Sequence, residues 1–310
     1  MNSQANIGAV VIGRNEGERL VNCLKSLQDE VSLVVYVDSG STDSSLDNAQ
    51  KYGAECVLLD SDIPFTAARA RNAGYERIMN RPDAPEIVQF LDGDCRLEKG
   101  YLAKAVAALA NDPGLAVVTG WRAEITPSAS VYNEMCDTEW HGPVGDIQAC
   151  GGDMMVRRTA FEQVGGFNPK VIAAEDDEFC TRLRKAGWRL QRLPLSMTHH
   201  DANMLKFSQW WNRAVRTGHG FEQVNDMHPG YFGRERLRMW VYGGALPLLA
   251  VVGLLLFWPL LVLVLFLFVT SYVRTALGLV KSGLPKLQSA HHAFYLFLSK
   301  FPNIVGAVTY

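Results

Sequence analysis

A long uncharged stretch near the C-terminus restricts how this chain can fold. No side chain from Met239 to Val273 carries a charge, and Leu, Val and Phe make up most of the stretch. A helix that crosses a bilayer needs about 20 consecutive apolar residues, so the stretch is longer than one crossing requires and short for two. Pro247 and Pro259 interrupt it. We therefore expect residues 234–282 to form a membrane-inserted helical hairpin, with a single crossing as the alternative.

Basic residues flank the uncharged stretch on both sides. They are Arg234, Arg236 and Arg238 before it, and Arg274, Lys281 and Lys286 after it. Because segments rich in Lys and Arg stay on the cytoplasmic side of a membrane, we expect both ends of the hairpin on the cytoplasmic face of the cell inner membrane. Residues 283–310 mix apolar side chains with basic ones and histidines, which predicts an amphipathic tail at the interface. Membrane lipids are therefore expected partners.

The rest of the chain has the composition of a folded α/β protein. The net charge of the 310 residues is −2, and nucleic-acid binding normally requires a basic excess, so we expect no nucleic-acid partner. The six cysteines are scattered without a Cys-x-x-Cys pair, which indicates reduced thiols rather than disulfides or a zinc site. The N-terminus lacks a basic segment followed by a long apolar run, so no signal peptide is expected.

A candidate site begins where an apolar run ends in carboxylates. The run starts at Ile87 and ends in Asp-Gly-Asp at residues 92–94, which predicts a buried strand with two acids at its C-terminal tip. Carboxylate oxygens suit Mg²⁺ or Mn²⁺, which combine a few protein ligands with substrate phosphates. The alternative is a capped turn, because Asp and Gly are common turn residues.

Strands alternate with helices before this point. The apolar runs at 7–13 and 33–37 are each followed by a polar turn and a helical pattern. This alternation predicts a parallel sheet covered by helices on both faces. Ligands of such sheets bind beyond the carboxyl ends of the strands, which is where we expect Glu16, Asp38 and Asp94.

Seven short motifs, in this order, resemble glycosyltransferases of family 2. They are Arg14–Glu16, Val37–Asp43, Ala70–Gly74, Asp92–Asp94, Gly151–Asp153, Val164–Phe167 and Glu175–Arg182. The resemblance covers most of residues 7–220. It implies an α/β fold, with a GT-A nucleotide-sugar-binding domain that is Rossmann-like and mostly parallel in its sheet. This domain would occupy residues 1–233, ahead of the C-terminal helical membrane segment, and would bind a nucleotide-sugar donor.

The resemblance assigns donor-binding roles to residues at the strand tips. Asn15, Glu16 and Asp38 would contact the nucleobase or the ribose, although turn formation is the alternative role for Asp38. Ser39 stands where the family usually has a second acid, which leaves the nucleobase open, although a uridine nucleotide is the preferred expectation. Arg71 would lie near the diphosphate, because a planar guanidinium matches phosphate oxygens.

The same resemblance implies a metal site. Asp94 would be the primary ligand of Mg²⁺ or Mn²⁺, which neutralises charge on the departing nucleoside diphosphate. Asp92 would contact the ribose or the metal-bound water, and His200 would be a further ligand unless the adjacent pair with His199 is merely a surface feature. Asp153 would contact hydroxyls of the donor or acceptor.

A run of four acids supplies the expected catalytic base. Glu175 to Glu178 open a predicted helix, and in similar enzymes the acid at the position of Asp176 is the general base; Glu175 is the reserve candidate. Inverting transfer requires deprotonation of an acceptor hydroxyl, and crowded acids raise the pKa of one member. The alternative is structural, since acids also stabilise a helix N-terminus.

Residues 203–221 interleave aromatic and arginine side chains, which predicts an interfacial helix. Gln209, Arg213 and Arg216 on it are possible contacts to the diphosphate or the acceptor. The full Gln-x-x-Arg-Trp pattern of polysaccharide synthases is absent, so processive polymerisation is not expected.

These observations predict an inverting, metal-dependent glycosyltransferase. It would move a sugar from a nucleotide sugar, preferably a UDP-sugar, to a lipid-linked or membrane-proximal glycan. One alternative is a polyprenyl-phosphate glycosyltransferase, and another is a catalytically silent membrane-bound protein that binds a nucleotide or sugar. A sugar-phosphate nucleotidyltransferase is disfavoured, because the Gly-rich, Arg-containing loop it requires after the first strand is missing.

Overall fold

The computed structural model describes residues 6–310, so residues 1–5, with which the predicted 1–233 domain begins, lie outside it. The chain divides into two compact units. The first runs to residue 127 and resumes at 136–203, and the second combines 128–135 with 204–310. The sheet-bearing unit therefore ends at residue 203 rather than 233, because the predicted interfacial helix belongs to the second unit.

Within residues 6–310, nine strands form one sheet, which lies in the first unit. The strands are β1 (Ile7–Gly13), β2 (Leu33–Asp38), β3 (Glu55–Leu58), β4 (Ile87–Asp92), β5 (Cys95–Leu97), β6 (Leu115–Glu124), β7 (Gly145–Asp146), β8 (Met154–Arg157) and β9 (Arg189–His200). Their order is β3-β2-β1-β4-β8-β6-β9-β5, and β7 pairs with β9.

The helices up to residue 185 are α1 (Glu18–Leu27), α2 (Ser45–Lys51), α3 (Ala67–Met79), α4 (Tyr101–Asn111), α5 (Val131–Trp140), α6 (Arg158–Gln163) and α7 (Glu175–Lys185). The N-terminal half of α5 is assigned to the second unit. Helix α3 begins at a side-chain cap, in which the Thr66 hydroxyl accepts from the backbone N–H of Arg69, a hydrogen bond that satisfies one free donor of the first turn.

The sheet is parallel in its first part and mixed beyond it. Strand β1 pairs in parallel with β2 and β4, and β2 with β3. Strand β8 then runs antiparallel to β4 and β6, whereas β6 and β9 are parallel. The α/β class is confirmed, and the pairing is parallel among β1–β4 and between β6 and β9, but antiparallel elsewhere. Strand–helix alternation is interrupted after Asp92, where β5 follows directly on Gly93 and Asp94.

Helices cover both faces of the sheet. Along β1, Val10 and Ile12 pack into one hydrophobic cluster, and Ala9 and Val11 pack into the other. Successive side chains of a strand point to opposite faces, so a strand that buries both sets is central and covered on both sides. The carboxyl ends of the central strands are thereby held at one edge, where the candidate site lies.

The second unit is helical. Its elements after residue 204 are α8 (Phe207–Met227), α9 (Gly233–Met239), a π-helical segment (Trp240–Ala245), α10 (Leu246–Leu256), α11 (Trp258–Lys281), α12 (Lys286–Leu298) and α13 (Lys300–Val308). Helices α8 and α13 pack closely, because a Cβ on Gly218 would overlap the carbonyl of Asn303, and one on Gly306 would overlap that of Val215. The predicted tail therefore contributes a helix packed on α8, and its place at a membrane interface stays a prediction.

Two helices, Gly233–Leu256 and Trp258–Lys281, are by length and composition able to cross a membrane. Both are mostly exposed along their apolar windows, unlike a helix in the core of a soluble protein. They fold back on each other at Phe257, since a Cβ on Gly253 would overlap the backbone of Leu261, and the rings of Tyr242 and Phe268 lie 6.4 Å apart. These residues form an antiparallel helical hairpin, and its insertion into a membrane stays a prediction.

Candidate active site

The loops after β1 and β2 are joined by hydrogen bonds. The Asn15 carboxamide oxygen accepts from Thr42 N at 2.7 Å, and Asn15 N donates to Ser41 Oγ at 2.9 Å. Asn15 has a φ of 58°, a left-handed conformation uncommon for residues other than glycine. The buried Asp38 carboxylate accepts from the backbone N–H groups of Gly40 and Ser41. Asp38 thus forms the turn, and its contact with a nucleobase stays a prediction.

Glu16 meets the tip of β4, as expected for neighbouring parallel strands. A Cβ on Gly93 would lie 3.2 Å from Glu16 Cγ. Burial raises the pKa of Glu16, and the negative charge of Asp94 raises it further, although an ion pair with Arg19 at 2.7 Å opposes them. The two predicted strand-tip acids therefore interact electrostatically.

Arg71 is 3% exposed and bridges two of the predicted site acids. Its Nη1 lies 2.6 Å from Glu175 Oε1, and its Nη2 lies 2.9 Å from Asp92 Oδ1. Burial lowers the pKa of Arg71, but the charges of these two acids outweigh burial and raise it. Both terminal nitrogens of Arg71 are thus paired with acids, and its expected place near the diphosphate stays a prediction.

Arg122, on β6, is a site residue that the sequence analysis missed. Its Nη2 lies 2.8 Å from Asp153 Oδ2 and 3.2 Å from Asp92 Oδ2, and its guanidinium stacks over the Trp140 ring at 5.3 Å. Burial would raise the pKa of Asp92, yet Arg71 and Arg122 together lower it. The sequence does contain a signal that could have identified Arg122. Arg122 and Glu124 stand two positions apart near the end of an apolar strand.

Asp153 is buried in a network of polar side chains. It is 1% exposed, and its carboxylate accepts from Thr198 Oγ1 at 2.8 Å and from Asp92 N at 3.0 Å, besides pairing with Arg122. Asp153 thus holds the tip of β4 through the backbone of Asp92, and its contact with donor or acceptor hydroxyls stays a prediction.

Asp94 and His200 meet, as the metal prediction requires. His200 Nε2 lies 3.2 Å from Asp94 Oδ2, its Nδ1 lies 3.9 Å from Glu124 Oε2, and its ring packs edge-on against Trp140. Burial lowers the pKa of His200, but the nearby carboxylates of Asp94 and Glu124 raise it to about 9. Because a metal ligand must be a neutral imidazole, a cation that binds here must displace this proton.

Helix α7 begins with the four predicted acids. Ala174 precedes them with a φ of 60°, a conformation rarely adopted by residues with a Cβ and often found at functional sites. Burial raises the pKa of Asp176 well above its ordinary value, and the charges of Glu175 and Asp177 add to the effect. The predicted crowding thus acts on Asp176, and its role as the general base stays a prediction.

Gly151 and Gly152 form part of the floor of this site. A Cβ on Gly152 would overlap the Arg71 guanidinium, whereas one on Gly151 would lie 3.9 Å from both Asp176 Oδ2 and Arg122 Nη2. Asp92, Arg71, Arg122 and Asp176 are therefore grouped around one glycine pair.

The sequence model of the family described as "Glycosyl transferase family 2" matches residues 9–165, just over half of the chain. This span carries the strand tips, the Arg71 helix and the Asp92–Asp94 turn. The chain belongs to glycosyltransferase family 2. A second model, described as "N-terminal domain of galactosyltransferase", matches residues 136–206.

Two curated relatives of this family 2 glycosyltransferase come from an archaeon and a bacterium. Glycosyltransferase AglE of Haloferax volcanii is 24% identical over 78% of this chain and 81% of its own length. The N-acetylglucosaminyl-diphospho-decaprenol L-rhamnosyltransferase of Mycobacterium tuberculosis is 34% identical over 34% of each chain. Relatives of this family 2 glycosyltransferase thus include an enzyme whose name specifies a lipid-linked acceptor.

A solved structure confirms the GT-A fold of this family 2 glycosyltransferase. The mannosyltransferase PcManGT of Pyrobaculum calidifontis, in complex with GDP-Man and Mn²⁺, has a TM-score of 0.66 at 19% identity, covering 99% of this chain and 87% of its own. The likeness shows the fold, and the GDP-Man and Mn²⁺ belong to that protein.

In this family 2 glycosyltransferase, the ligand atoms of Asp94 and His200 fit a hard divalent cation. These side chains and Cys95 Sγ offer ligand atoms within 4.8 Å of one another, and carboxylate with imidazole suits Mn²⁺. Burial raises the pKa of the Cys95 thiol well above its ordinary value, so it is not an available thiolate. A second group, Asp92, Cys95 and Asp153, has carboxylates already paired with arginines.

Gln209, Arg213 and Arg216 lie on α8 of the second unit. The Gln209 side-chain oxygen accepts from the backbone N–H groups of Leu205 and Lys206, so it closes the first turn of the helix. Contacts of these three side chains with a diphosphate or an acceptor stay predictions.

Proposed function

We propose that this glycosyltransferase transfers a sugar with inversion, and with the help of a divalent cation, from a nucleotide sugar to an acceptor held at a membrane surface. The observation that supports the proposal is the double ion pair of Arg71. It connects Asp92, beside the candidate metal residues, to Glu175, beside the candidate base. The buried Arg71 guanidinium would thus fix the position of the donor side of the site relative to the acceptor side.

Asp94 and His200 would hold Mg²⁺ or Mn²⁺, which supplies positive charge for the leaving nucleoside diphosphate. Asn15, Glu16 and Asp38 line the strand tips at which sheets of this type bind nucleosides, and a UDP-sugar is the preferred donor. Asp92 is available to a ribose hydroxyl through the part of its carboxylate that Arg71 and Arg122 leave accessible.

Asp176 is the proposed base. It would accept the proton of the acceptor hydroxyl while the diphosphate leaves from the opposite face of the sugar, which inverts the anomeric centre. Glu175, the reserve candidate, is held by Arg71 at 2.6 Å. A carboxylate committed to a buried guanidinium is a poorer proton acceptor, so the geometry favours Asp176.

The proposed acceptor is a lipid-linked glycan. The hairpin presents a tip rich in exposed apolar side chains, with Leu256 81% exposed, and burying such surface in lipid is favourable. Its insertion would hold the site at the cytoplasmic face of the inner membrane, where lipid-linked acceptors lie. A polyprenyl phosphate is the alternative acceptor, and silent nucleotide or sugar binding is the alternative of another class.

The test is donor turnover by the full-length, detergent-purified chain. UDP- and GDP-sugars are screened for nucleoside diphosphate release with Mg²⁺ or Mn²⁺, with no acceptor, with membrane lipid extract or with a polyprenyl phosphate. We expect release that requires the extract, is lost in Asp176→Asn, and is kept in Asp47→Asn, an exposed acid on α2.

Each other outcome selects a different function. Release with polyprenyl phosphate alone identifies the alternative acceptor. Donor binding without release under every condition identifies the silent protein. Retention of configuration in the product, measured by NMR of the anomeric proton, contradicts the inverting mechanism.

A further inference from the structure

A small polar cavity lies within the helical unit, apart from the site described above. Its walls are Arg238, Tyr242, Ser271, Thr275, Leu296, Phe297 and Lys300, and its volume is about 100 Å³. One water needs about 15 Å³ of such space, so the cavity has room for a phosphate-sized group and none for a nucleotide sugar or a glycan.

The cavity lies at the open end of the hairpin. Arg238 immediately precedes the uncharged stretch, and Thr275 follows its end on the returning helix, one residue after Arg274. Because the two arms are antiparallel, these positions lie at the same level along them. If the hairpin is inserted, this level is the boundary between the apolar interior and the headgroups.

Close backbone packing holds the two cations at the cavity. The π-helical segment passes directly against α13, since a Cβ on Gly243 would overlap the carbonyl of Lys300. π-Helical turns are rare and are frequent at functional sites. Here the turn brings the end of α9, with Arg238, next to the start of α13, with Lys300.

Among residues 6–310, neither Arg238 nor Lys300 has a carboxylate within ion-pair distance, whereas the neighbouring Arg236 is paired with Glu222 at 2.6 Å. Burial lowers the pKa of Lys300, and the positive charge of Arg238 lowers it further, against a smaller opposite effect of the exposed Glu235. Two like charges held together without a counter-ion are unfavourable, so an anion between them would relieve the repulsion.

The other wall residues are of two kinds, hydroxyl-bearing and apolar, which match the phosphate and the acyl chains of a lipid. Tyr242 and Ser271 add hydroxyl groups able to donate to phosphate oxygens, whereas the Thr275 hydroxyl already donates to the Ser271 carbonyl at 2.8 Å. Leu296 is partly exposed, and Phe297 packs against Phe268 of the hairpin at 5.2 Å, so an apolar wall continues from the polar cavity toward the hairpin. A soluble phosphate would contact the hydroxyl-bearing residues and leave the apolar wall of Leu296 and Phe297 without a partner.

We infer that this cavity is a binding site for the phosphate group of an anionic membrane lipid, held between Arg238 and Lys300. Basic pockets between membrane helices on the cytoplasmic side recognise lipid headgroups in this way. The inference rests on the membrane insertion proposed above and is independent of sugar transfer.

The test is lipid binding by the full-length protein in detergent, followed by native mass spectrometry. The probes are phosphatidylglycerol and phosphatidylcholine with the same acyl chains, and a polyprenyl phosphate. We expect phosphatidylglycerol to bind at a concentration at least about tenfold below that of phosphatidylcholine, because charge-assisted hydrogen bonds are the stronger ones. The double variant Arg238→Gln/Lys300→Gln should lose this preference.

The matched control removes the same charge elsewhere in the unit. Arg234→Gln/Lys286→Gln changes two exposed cations outside the cavity and should keep the preference. Equal loss in both double variants, or none in the first, would mean diffuse surface charge and overturn the inference. If the first double variant fails to fold, Arg238→Gln alone decides, because Arg238 is exposed and its loss should weaken binding without unfolding the unit.

Two further measurements identify the source of the phosphate. Tighter binding of the polyprenyl phosphate than of phosphatidylglycerol, lost in Arg238→Gln/Lys300→Gln, would support the inference and assign a phosphomonoester lipid; tighter binding that the double variant keeps would place that lipid at the acceptor site and count against the cavity. Full displacement of phosphatidylglycerol by millimolar inorganic phosphate would overturn it in favour of a soluble anion. Release of the protein from membranes by alkaline carbonate would refute insertion, and with it the lipid site, without bearing on transferase activity.

Discussion

Arg71 donates to Glu175 at 2.6 Å across a separation of 104 residues in the sequence. The pair joins α3 to the start of α7, and the second nitrogen of the same guanidinium holds Asp92. One buried cation thus joins Asp92, on the proposed donor side, to Glu175, next to the proposed base.

Loss of Arg71 should destabilise the first unit strongly. Arg71→Met would leave Glu175 without its Arg71 partner and Asp92 with Arg122 as its remaining cation, and breaking a buried pair from one side costs about 3–5 kcal/mol. Urea unfolding of the full-length protein measures the change. Arg77, which is mostly exposed and pairs with Glu55, is the control: Arg77→Met should change the free energy of unfolding by less than about 1 kcal/mol. Similar effects of both substitutions would contradict the role of Arg71.

Alanine substitutions at the neighbouring Gly151 and Gly152 should change the stability of the protein by very different amounts. In Gly152→Ala the new methyl would overlap the Arg71 guanidinium, whereas in Gly151→Ala its nearest neighbours lie 3.9 Å away. We expect Gly152→Ala to lower the free energy of unfolding by about 1–3 kcal/mol, as overpacking does, and Gly151→Ala to change it by no more than about 1 kcal/mol. Chemical denaturation checks this, and a reversed order would show that Arg71 is not packed on Gly152.

The strand-tip part of the site was predictable because its signals are local. An apolar run followed by acids places Glu16, Asp38 and Asp94 at one sheet edge without any knowledge of the later strands. Arg122 was not predictable in this way, because its contacts with Asp92 and Asp153 depend on β8 lying between β4 and β6. The burial of Asp153 and its pairing with Arg122 depend on the same strand order.

The boundary between the units was also beyond local signals. The aromatic and arginine pattern of α8 predicted an interfacial helix, and the hydrophobicity of the tail predicted another. Their packing on each other depends on Gly218 and Gly306, which carry no periodic signal of their own and become informative only when the two helices are brought together.

The rate of transfer should rise with pH as Asp176 loses its proton. Burial, Glu175 and Asp177 all raise the pKa of Asp176, so the base form appears only above the ordinary range of an aspartate. Asp177→Asn removes one raising charge and should move the acidic limb of the pH–rate profile to lower pH. The exposed Glu76→Gln on α3 should leave the limb unchanged. A limb that stays in place in Asp177→Asn would argue against Asp176 as the titrating base.

The adjacent histidines provide a matched test of the metal site. His200 faces Asp94, whereas His199 pairs with Glu98 at 2.9 Å. We expect His200→Gln to weaken Mn²⁺ binding in the presence of nucleoside diphosphate by about 10–100-fold, the size of effects in metal sites, and His199→Gln to leave it near wild type. Calorimetric titration with Mn²⁺ measures both. Equal affinity in the two variants would remove His200 from the site.

The helical hairpin should put both chain ends on one side of the membrane. Its arms run antiparallel around Phe257, so an epitope tag before Met1 and another after Tyr310 should be digested together by protease added to inverted vesicles, and neither should be digested in intact spheroplasts. A C-terminal tag reached only from the outer side would mean a single crossing.

Two glycines of the hairpin test the turn itself. A Cβ on Gly253 would overlap the backbone of Leu261, while one on Gly278 has open space around it. Gly253→Ala should therefore force the arms apart near the turn and lower the melting temperature in detergent, at a cost of about 1–3 kcal/mol. Gly278→Ala should leave the melting temperature unchanged or raise it, because alanine favours a helix by about 1 kcal/mol over glycine. If both variants melt like the wild type, the arms do not pack at Gly253, and the same-side topology loses its structural basis.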